Sequence, residues 1–215
     1  MENQHELPAR SGCLLYLISP PAIDDCFTER LKSALSAGPV AAFQLRLKGV
    51  GDDEIARFAE PLQRICAEHG TAFIINDSMT LAKRLGADGV HLGQGDGDAK
   101  AARALLGPTV QIGITCHNSR HLAMEAGEKG ADYVAFGAFY PTGTKKVKFT
   151  AELEILEWWS GLFELPCVAI GGVTPANAAR LAAAGADFVA ASASVWANRD
   201  GESAAIAAFA KSLNQ

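Results

Sequence analysis

Gln44, Arg46 and Lys48 stand two residues apart in the run 40–48, VAAFQLRLK. Read as a strand, that spacing puts all three on one face and sends Leu45 and Leu47 to the other. Two cations and an amide at the end of an apolar strand need partners, because an unpaired buried charge is costly. An anionic ligand would supply them, with arginine offering a planar fork to phosphate oxygens and lysine a point charge. A solvated strand end with internal salt bridges is the other reading. Further along stand Asn76-Asp77 and Gly93-Gln94-Gly95-Asp96. Two carboxylates beside a cationic strand suit a hard divalent cation, since Mg2+ takes one or two carboxylates, waters and substrate phosphate oxygens. The local alternatives are Asp77 as cap of the following helix and Asp96 as ion-pair partner of Lys48, and Asp98 rivals Asp96 as a metal ligand.

Other residues suit phosphate too, and those after the runs 133–138, 167–172 and 188–194 form a second anion site of hydroxyls and backbone groups. Thr115 offers a hydroxyl at the end of the run 110–116. His117 follows as an acid or base, a ligand, or a residue near a helix start. The stretch 139–146, FYPTGTKK, joins hydroxyls, a glycine and two lysines. That composition suits phosphate contact through side chains and backbone N–H groups, and its length suits a lid. Gly171 and Gly172 allow close approach of backbone to an anion, and Ser192-Ala193 lies at the end of the last apolar run.

The elements that must position these residues are short and regular. Apolar runs cover 14–19, 40–48, 71–77, 89–93, 110–116, 133–138, 167–172 and 188–194. Many are apolar on both sides of the alternation, as parallel strands are when both faces are covered. Helical patterns lie between them, among them 52–70, which contains Pro61, and 174–186. Three helix-to-strand joins repeat one wording: Gly86-Ala87-Asp88-Gly89-Val90, Gly130-Ala131-Asp132-Tyr133-Val134 and Gly185-Ala186-Asp187-Phe188-Val189. Glycine closes a helix in the left-handed conformation, and the recurrence implies one βα unit used several times. Eight such units predict a (β/α)8 TIM barrel, with an open doubly wound sheet as the alternative. In a barrel the chemistry sits at the C-terminal strand ends, where all the residues named above fall, and the loops after strands seven and eight often bind phosphate.

Composition sets the outer limits. The chain has 215 residues, 49% of them hydrophobic, enough for one sizeable core, and no linker marks a second domain. A single barrel domain with a polar arm over 1–12 is expected. The net charge of −5 argues against nucleic acid and anionic membranes as partners. No apolar stretch has the length of a membrane span and the first residues lack a signal-peptide pattern, so a cytoplasmic location is expected. Cys13, Cys26, Cys66, Cys116 and Cys167 read as buried small hydrophobes in a reducing compartment.

Five motifs, in order, make the chain resemble the thiamine phosphate synthase family. They are Gln44-x-Arg46-x-Lys48, Asn76-Asp77, Gly89-Val90-His91-Leu92-Gly93-Gln94-x-Asp96, Pro141-Thr142-x-Thr144-Lys145-Lys146 and Ile170-Gly171-Gly172. The family joins hydroxymethylpyrimidine diphosphate to hydroxyethylthiazole phosphate with release of diphosphate. The resemblance implies that Gln44, Arg46, Lys48, Asn76, Thr115 and Lys145 contact the pyrimidine diphosphate, with Arg46, Lys48 and Lys145 catalytic. It implies that Asp77 and Asp96 hold Mg2+, for which Mn2+ is an alternative. Thr142, Gly143, Thr144, Gly172 and the Ser192-Ala193 backbone would hold the thiazole phosphate. The implied partners are small molecules, and a homodimer stays open.

The sequence departs from the family pattern at several points. Thr115 stands for a usual serine, Gly95 for an acidic residue, Gly143 for larger residues and Ala193 for a common serine. The stretch Val147-Lys148-Phe149-Thr150 also departs from the family pattern. The nearest rival is a related thiazole tautomerase using a histidine such as His117. A catalytically silent barrel that binds thiamine precursors is a second rival.

Overall fold

The computed structural model describes residues 12–142 and 148–214. Each of the eight apolar runs holds a strand, trimmed or shifted at its ends. The elements are β1 (Leu14–Ile18), α1 (Phe27–Ser36), β2 (Ala42–Leu45), α2 (Asp52–Glu68), β3 (Ala72–Asn76), α3 (Met79–Leu85), β4 (Gly89–Leu92) and α4 (Ala99–Leu106). They continue as β5 (Gln111–His117), α5 (Arg120–Glu128), β6 (Tyr133–Gly137), α6 (Glu154–Leu162), β7 (Cys167–Ile170), α7 (Pro175–Ala183), β8 (Phe188–Ala191), α8 (Ala193–Trp196) and α9 (Glu202–Leu213). The strands are parallel and close in chain order, with β8 beside β1. The barrel, and not the open sheet, is the fold. Of the polar arm expected over 1–12, residues 1–11 lie outside the described residues.

Alternation along the strands divides the core in two. Leu15, Leu17, Phe43, Leu45, Phe73 and Ile75 face outward and pack with the helices. Tyr16, Ile18, Ala42, Ile74, Tyr133, Ala135, Val168 and Ala190 fill the barrel interior. Complete burial of one large apolar side chain stabilises the fold by roughly 1.5–3 kcal/mol, so this two-sided core dominates the energetics.

The three repeated joins carry a device beyond helix termination. Gly86, Gly130 and Gly185 have φ of 60°, 87° and 102°, as their helix-closing place requires. The aspartate two residues later then reaches back to the neighbouring strand. Asp88 Oδ2 accepts from the Phe73 amide at 2.8 Å, Asp132 from Ile112 at 2.6 Å and Asp187 from Cys167 at 2.8 Å. The joins open β4, β6 and β8 and clamp β3, β5 and β7, so the repeating unit is two strands long.

Pro61 neither ends nor begins a helix. It sits inside α2, which runs unbroken from Asp52 to Glu68. The helix expected over 174–186 starts at Pro175, behind Thr174 and Asn177, which cap reciprocally. The cysteines are all free, and three are buried as expected: Cys66, Cys116 and Cys167. Cys13 is half-buried and Cys26 is exposed, which corrects the expectation for those two. Cys26 falls in the turn immediately before α1, where the buried face begins only with Phe27.

Candidate active site

A cavity of about 830 Å³ opens at the C-terminal ends of the strands. Gln44, Arg46 and Lys48 line it together. β2 ends at Leu45, but the alternation continues, and Leu45 and Leu47 are buried on the helix side. The segment beyond the strand is tied to the chain after β1: the Arg46 amide donates to Ser19 Oγ and the Lys48 amide to the Pro21 carbonyl, both at 2.9 Å. Gln44, only 2% exposed, donates through Nε2 to Asn76 Oδ1 at 2.7 Å. That bond orients both amides at the cavity floor. Burial pulls the Arg46 guanidinium down from its ordinary value, and the Asp77 charge acts against that pull. An anion in the cavity would favour the charged guanidinium in the same way.

The structure separates the local readings of the aspartates. Asp77 does not cap α3; Ser78 does, accepting from the Leu81 amide at 3.2 Å. Asp77, at φ 65°, instead turns toward the cavity, where its Oδ2 lies 3.4 Å from Lys48 Nζ. Asp77, not Asp96, is therefore the ion-pair partner of Lys48. Asp96 lines the cavity and accepts from the Gly93 amide at 2.9 Å. Its carboxyl is pushed above the ordinary range, first by burial and then by the adjacent Asp77, while the Gly93 bond and Lys48 act the other way. Asp98 is removed from the metal question: it caps α4, accepting from the Ala101 amide at 2.9 Å. Among the described residues no group of three or more His, Cys, Asp or Glu side chains gathers as a metal cage. Two neighbouring carboxylates remain, which is the protein share that Mg2+ asks for.

Across the barrel the cavity is lined by Thr142, Gly172, Ser192 and Ala193. Gly172 has φ 64°, and a Cβ there would collide with the Pro141 carbonyl, so the loop after β6 packs directly on the loop after β7. Asn177 Nδ2 donates to the Gly172 carbonyl at 3.1 Å and holds that turn from α7. Ser192 spends its hydroxyl on the Ser19 carbonyl at 3.1 Å. Gly143, Thr144, Lys145 and Lys146 lie outside the described residues.

Thr115 lines the cavity from β5. The β5–β6 register slips between Thr115 and His117, and His117 also reaches the cavity, at φ 55° with its ring 4.6 Å from that of Phe149. Helix α5 is capped by Ser119, so His117 is not its cap. Several lining residues carried no assigned role in the sequence, and three of them bear on the site. Lys148 and Phe149 fall in the stretch that departs from the family pattern, and His91 stands inside a quoted motif. His91 was legible, because a histidine at an inward position of a buried strand has few bland explanations. Its ring bonds Thr115 Oγ1 through Nε2 at 2.8 Å and the Tyr133 hydroxyl through Nδ1 at 3.2 Å.

Fold and site together define a class: a (β/α)8 barrel with an anion-facing cavity at the C-terminal strand ends. Comparison with known proteins narrows it. Residues 15–195 match the family described as thiamine monophosphate synthase. The chain is 60% identical over 204 residues to the thiamine-phosphate synthase of Erythrobacter litoralis, spanning 93% of this chain and 94% of that protein. It is 54% identical over 200 residues to that of Rhodospirillum centenum, spanning 93% and 97%. The solved structure of thiamine phosphate pyrophosphorylase from Pyrococcus furiosus superposes with a TM-score of 0.82 at 28% identity, over 94% of this chain and 95% of that one. The chain belongs to the thiamine monophosphate synthase family.

Proposed function

We propose that the chain joins hydroxymethylpyrimidine diphosphate to hydroxyethylthiazole phosphate, releasing diphosphate and forming thiamine phosphate. The observation that carries this reading is one cavity with two different anion-facing walls. Gln44, Arg46, Lys48, Asn76, Asp77 and Asp96 line one wall, and Thr142, Gly172, Ser192 and Ala193 line the other.

In this reading the diphosphate lies against the first wall. Arg46 and Lys48 bind its oxygens and stabilise the charge that grows as the C–O bond to the pyrimidine methylene breaks. Lys145, assigned by resemblance, does the same from the loop. The aminopyrimidine delocalises the positive charge left on the methylene carbon, and the thiazole nitrogen attacks it. No strong general base is needed, so positioning and electrostatics carry the rate. Gln44 and Asn76 orient the pyrimidine diphosphate, with Thr115 as a further hydroxyl. Thr142, Gly143, Thr144, Gly172 and the Ser192-Ala193 backbone hold the thiazole phosphate.

The donor set fits a divalent cation, because Asp77 and Asp96 are hard oxygen donors and the Asp77 charge disfavours ionisation of Asp96 until a cation joins them. Bound by these two, Mg2+ would neutralise the departing diphosphate. Among the described residues no helix is long and apolar enough to cross a membrane. With five free cysteines, the chain suits the reducing cytoplasm.

The test is a coupling assay with both substrates, with Mg2+ and with a chelator, on the parent chain and on Asp77→Ala. Thiamine phosphate should form only with the parent and the metal. Undiminished product from the variant would remove the metal role. A metal-independent isomerase activity lost in His117→Ala would point to the tautomerase instead.

A further inference from the structure

An unbroken line of hydrogen bonds descends from the cavity into the barrel. Thr115 Oγ1 meets His91 Nε2 at 2.8 Å, His91 Nδ1 meets the Tyr133 hydroxyl at 3.2 Å, and that hydroxyl meets Tyr16 at 3.0 Å. Thr115 and His91 line the cavity; the two tyrosines lie below it, packed with Ile18, Ala42, Val168 and Ala190. Gly113 makes the room, since a Cβ there would collide with the Tyr133 ring.

The direction of the line follows from counting protons. Three hydroxyls and one neutral imidazole bring four protons to three contacts. One proton is therefore left over, at one of the two ends or on a Tyr133 hydroxyl that accepts from both neighbours, and on the buried Tyr133 it would be a donor without an acceptor among the described residues. At the lower end, the Tyr16 hydroxyl has Tyr133 as its partner among the described residues and is 4% exposed in apolar surroundings. A proton released there would be a buried donor without an acceptor, which is costly. At the upper end is the cavity. Tyr16 therefore donates to Tyr133, and Tyr133 donates to His91 Nδ1. His91 then carries its proton on Nε2 and donates it to Thr115. Burial pushes both phenols above their ordinary range, so both keep their protons.

We propose that His91 is a positioning residue: held as the Nε2–H tautomer by Tyr133 and Tyr16, it occupies a lone pair of Thr115 and leaves that hydroxyl a fixed donor aimed at an anionic substrate. With the opposite tautomer, Thr115 would turn its proton to the ring and its lone pairs to the anion. The kinetic consequence rests on the proposed diphosphate-binding function, and the tautomer does not.

The imidazole 15N spectrum of the folded protein reads the tautomer, with His91 assigned by the signal lost in His91→Gln. Nε2–H with a bare Nδ1 at neutral pH is expected, and Tyr133→Phe should move that balance. Tyr133→Phe keeps the ring volume, and a thermal melt confirms that it folds. In the coupling assay it should lower kcat/KM for the pyrimidine diphosphate roughly ten- to a hundredfold, the worth of one hydrogen bond to a charged group. Thr115→Val should lose a similar factor, and the double variant should lose no more than either single one. An Nδ1–H tautomer overturns the proposal, as do losses that multiply in the double variant. Absence of any product would overturn the proposed activity, while the spectrum would still decide the tautomer.

Discussion

Ser78 caps α3 through the Leu81 amide at 3.2 Å, and the carboxylate of Asp77, one residue earlier, is left for the cavity, where it meets Lys48 Nζ at 3.4 Å. Two adjacent side chains that could compete for one helix end have been given different work. Asp77→Ala should lower kcat/KM for coupling by on the order of a hundredfold or more while the melting temperature stays near that of the parent. Ser78→Ala should do the reverse, costing about 1 kcal/mol of stability with turnover nearly kept. Steady-state kinetics and urea unfolding on the two variants decide it; an unstable Asp77→Ala with normal turnover would reverse the assignment.

The repeated aspartates should act on stability and leave catalysis alone. Asp132 accepts from the Ile112 amide and also pairs with Arg103, whereas Asp88 and Asp187 each hold a strand amide. Asp132→Ala should cost about 1–3 kcal/mol, the penalty for orphaning donors of a charge-assisted bond, and more than Asp88→Ala. Urea midpoints rank the three, and kcat/KM of the folded fraction should match the parent. Equal, negligible losses would show that water replaces the carboxylates at the lower rim.

Lys148 lines the cavity from a stretch that departs from the family pattern. Removing an exposed charge near an anionic substrate costs little, so Lys148→Ala should raise one KM about two- to fivefold, an effect that shrinks with added salt. Measuring both KM values at low and high ionic strength shows which substrate the lysine serves. Unchanged constants at low salt would place it outside the working site.

Alkaline pH should unfold the chain by way of its core. Burial pushes the Cys66 and Cys116 thiols up from an ordinary value of 9.0 to about 12, and raises the phenols of Tyr16 and Tyr133 as well. Between those limits the unfolded chain has released protons that the folded chain keeps. The contribution of these groups to stability is therefore flat below about pH 9 and falls as pH climbs from there toward 12. Urea midpoints taken from pH 8 to 11 should decline over that window. A constant midpoint would mean that these groups ionise equally in both states.

Much of this protein was written locally. Strand count, helix spacing and the shared face of Gln44, Arg46 and Lys48 follow from side-chain periodicity, which needs only neighbours in the chain. The glycine joins were legible for the same reason. Their aspartates were not, because each acceptor serves an amide 15 to 20 residues away, on the preceding strand. Rival local jobs were also undecidable in one dimension: Asp77 as helix cap or cavity residue, and Asp96 or Asp98 as ligand, turn on where each side chain points, which helix and loop geometry must choose. Only closure of the barrel sets Tyr16 against Tyr133, 117 residues later, and lets both tyrosines govern His91 and Thr115. By itself the sequence determined the strands and which of their residues share a face. The tertiary structure decided which of them meet, because a buried proton or charge settles on its partner only when distant strands share one interior.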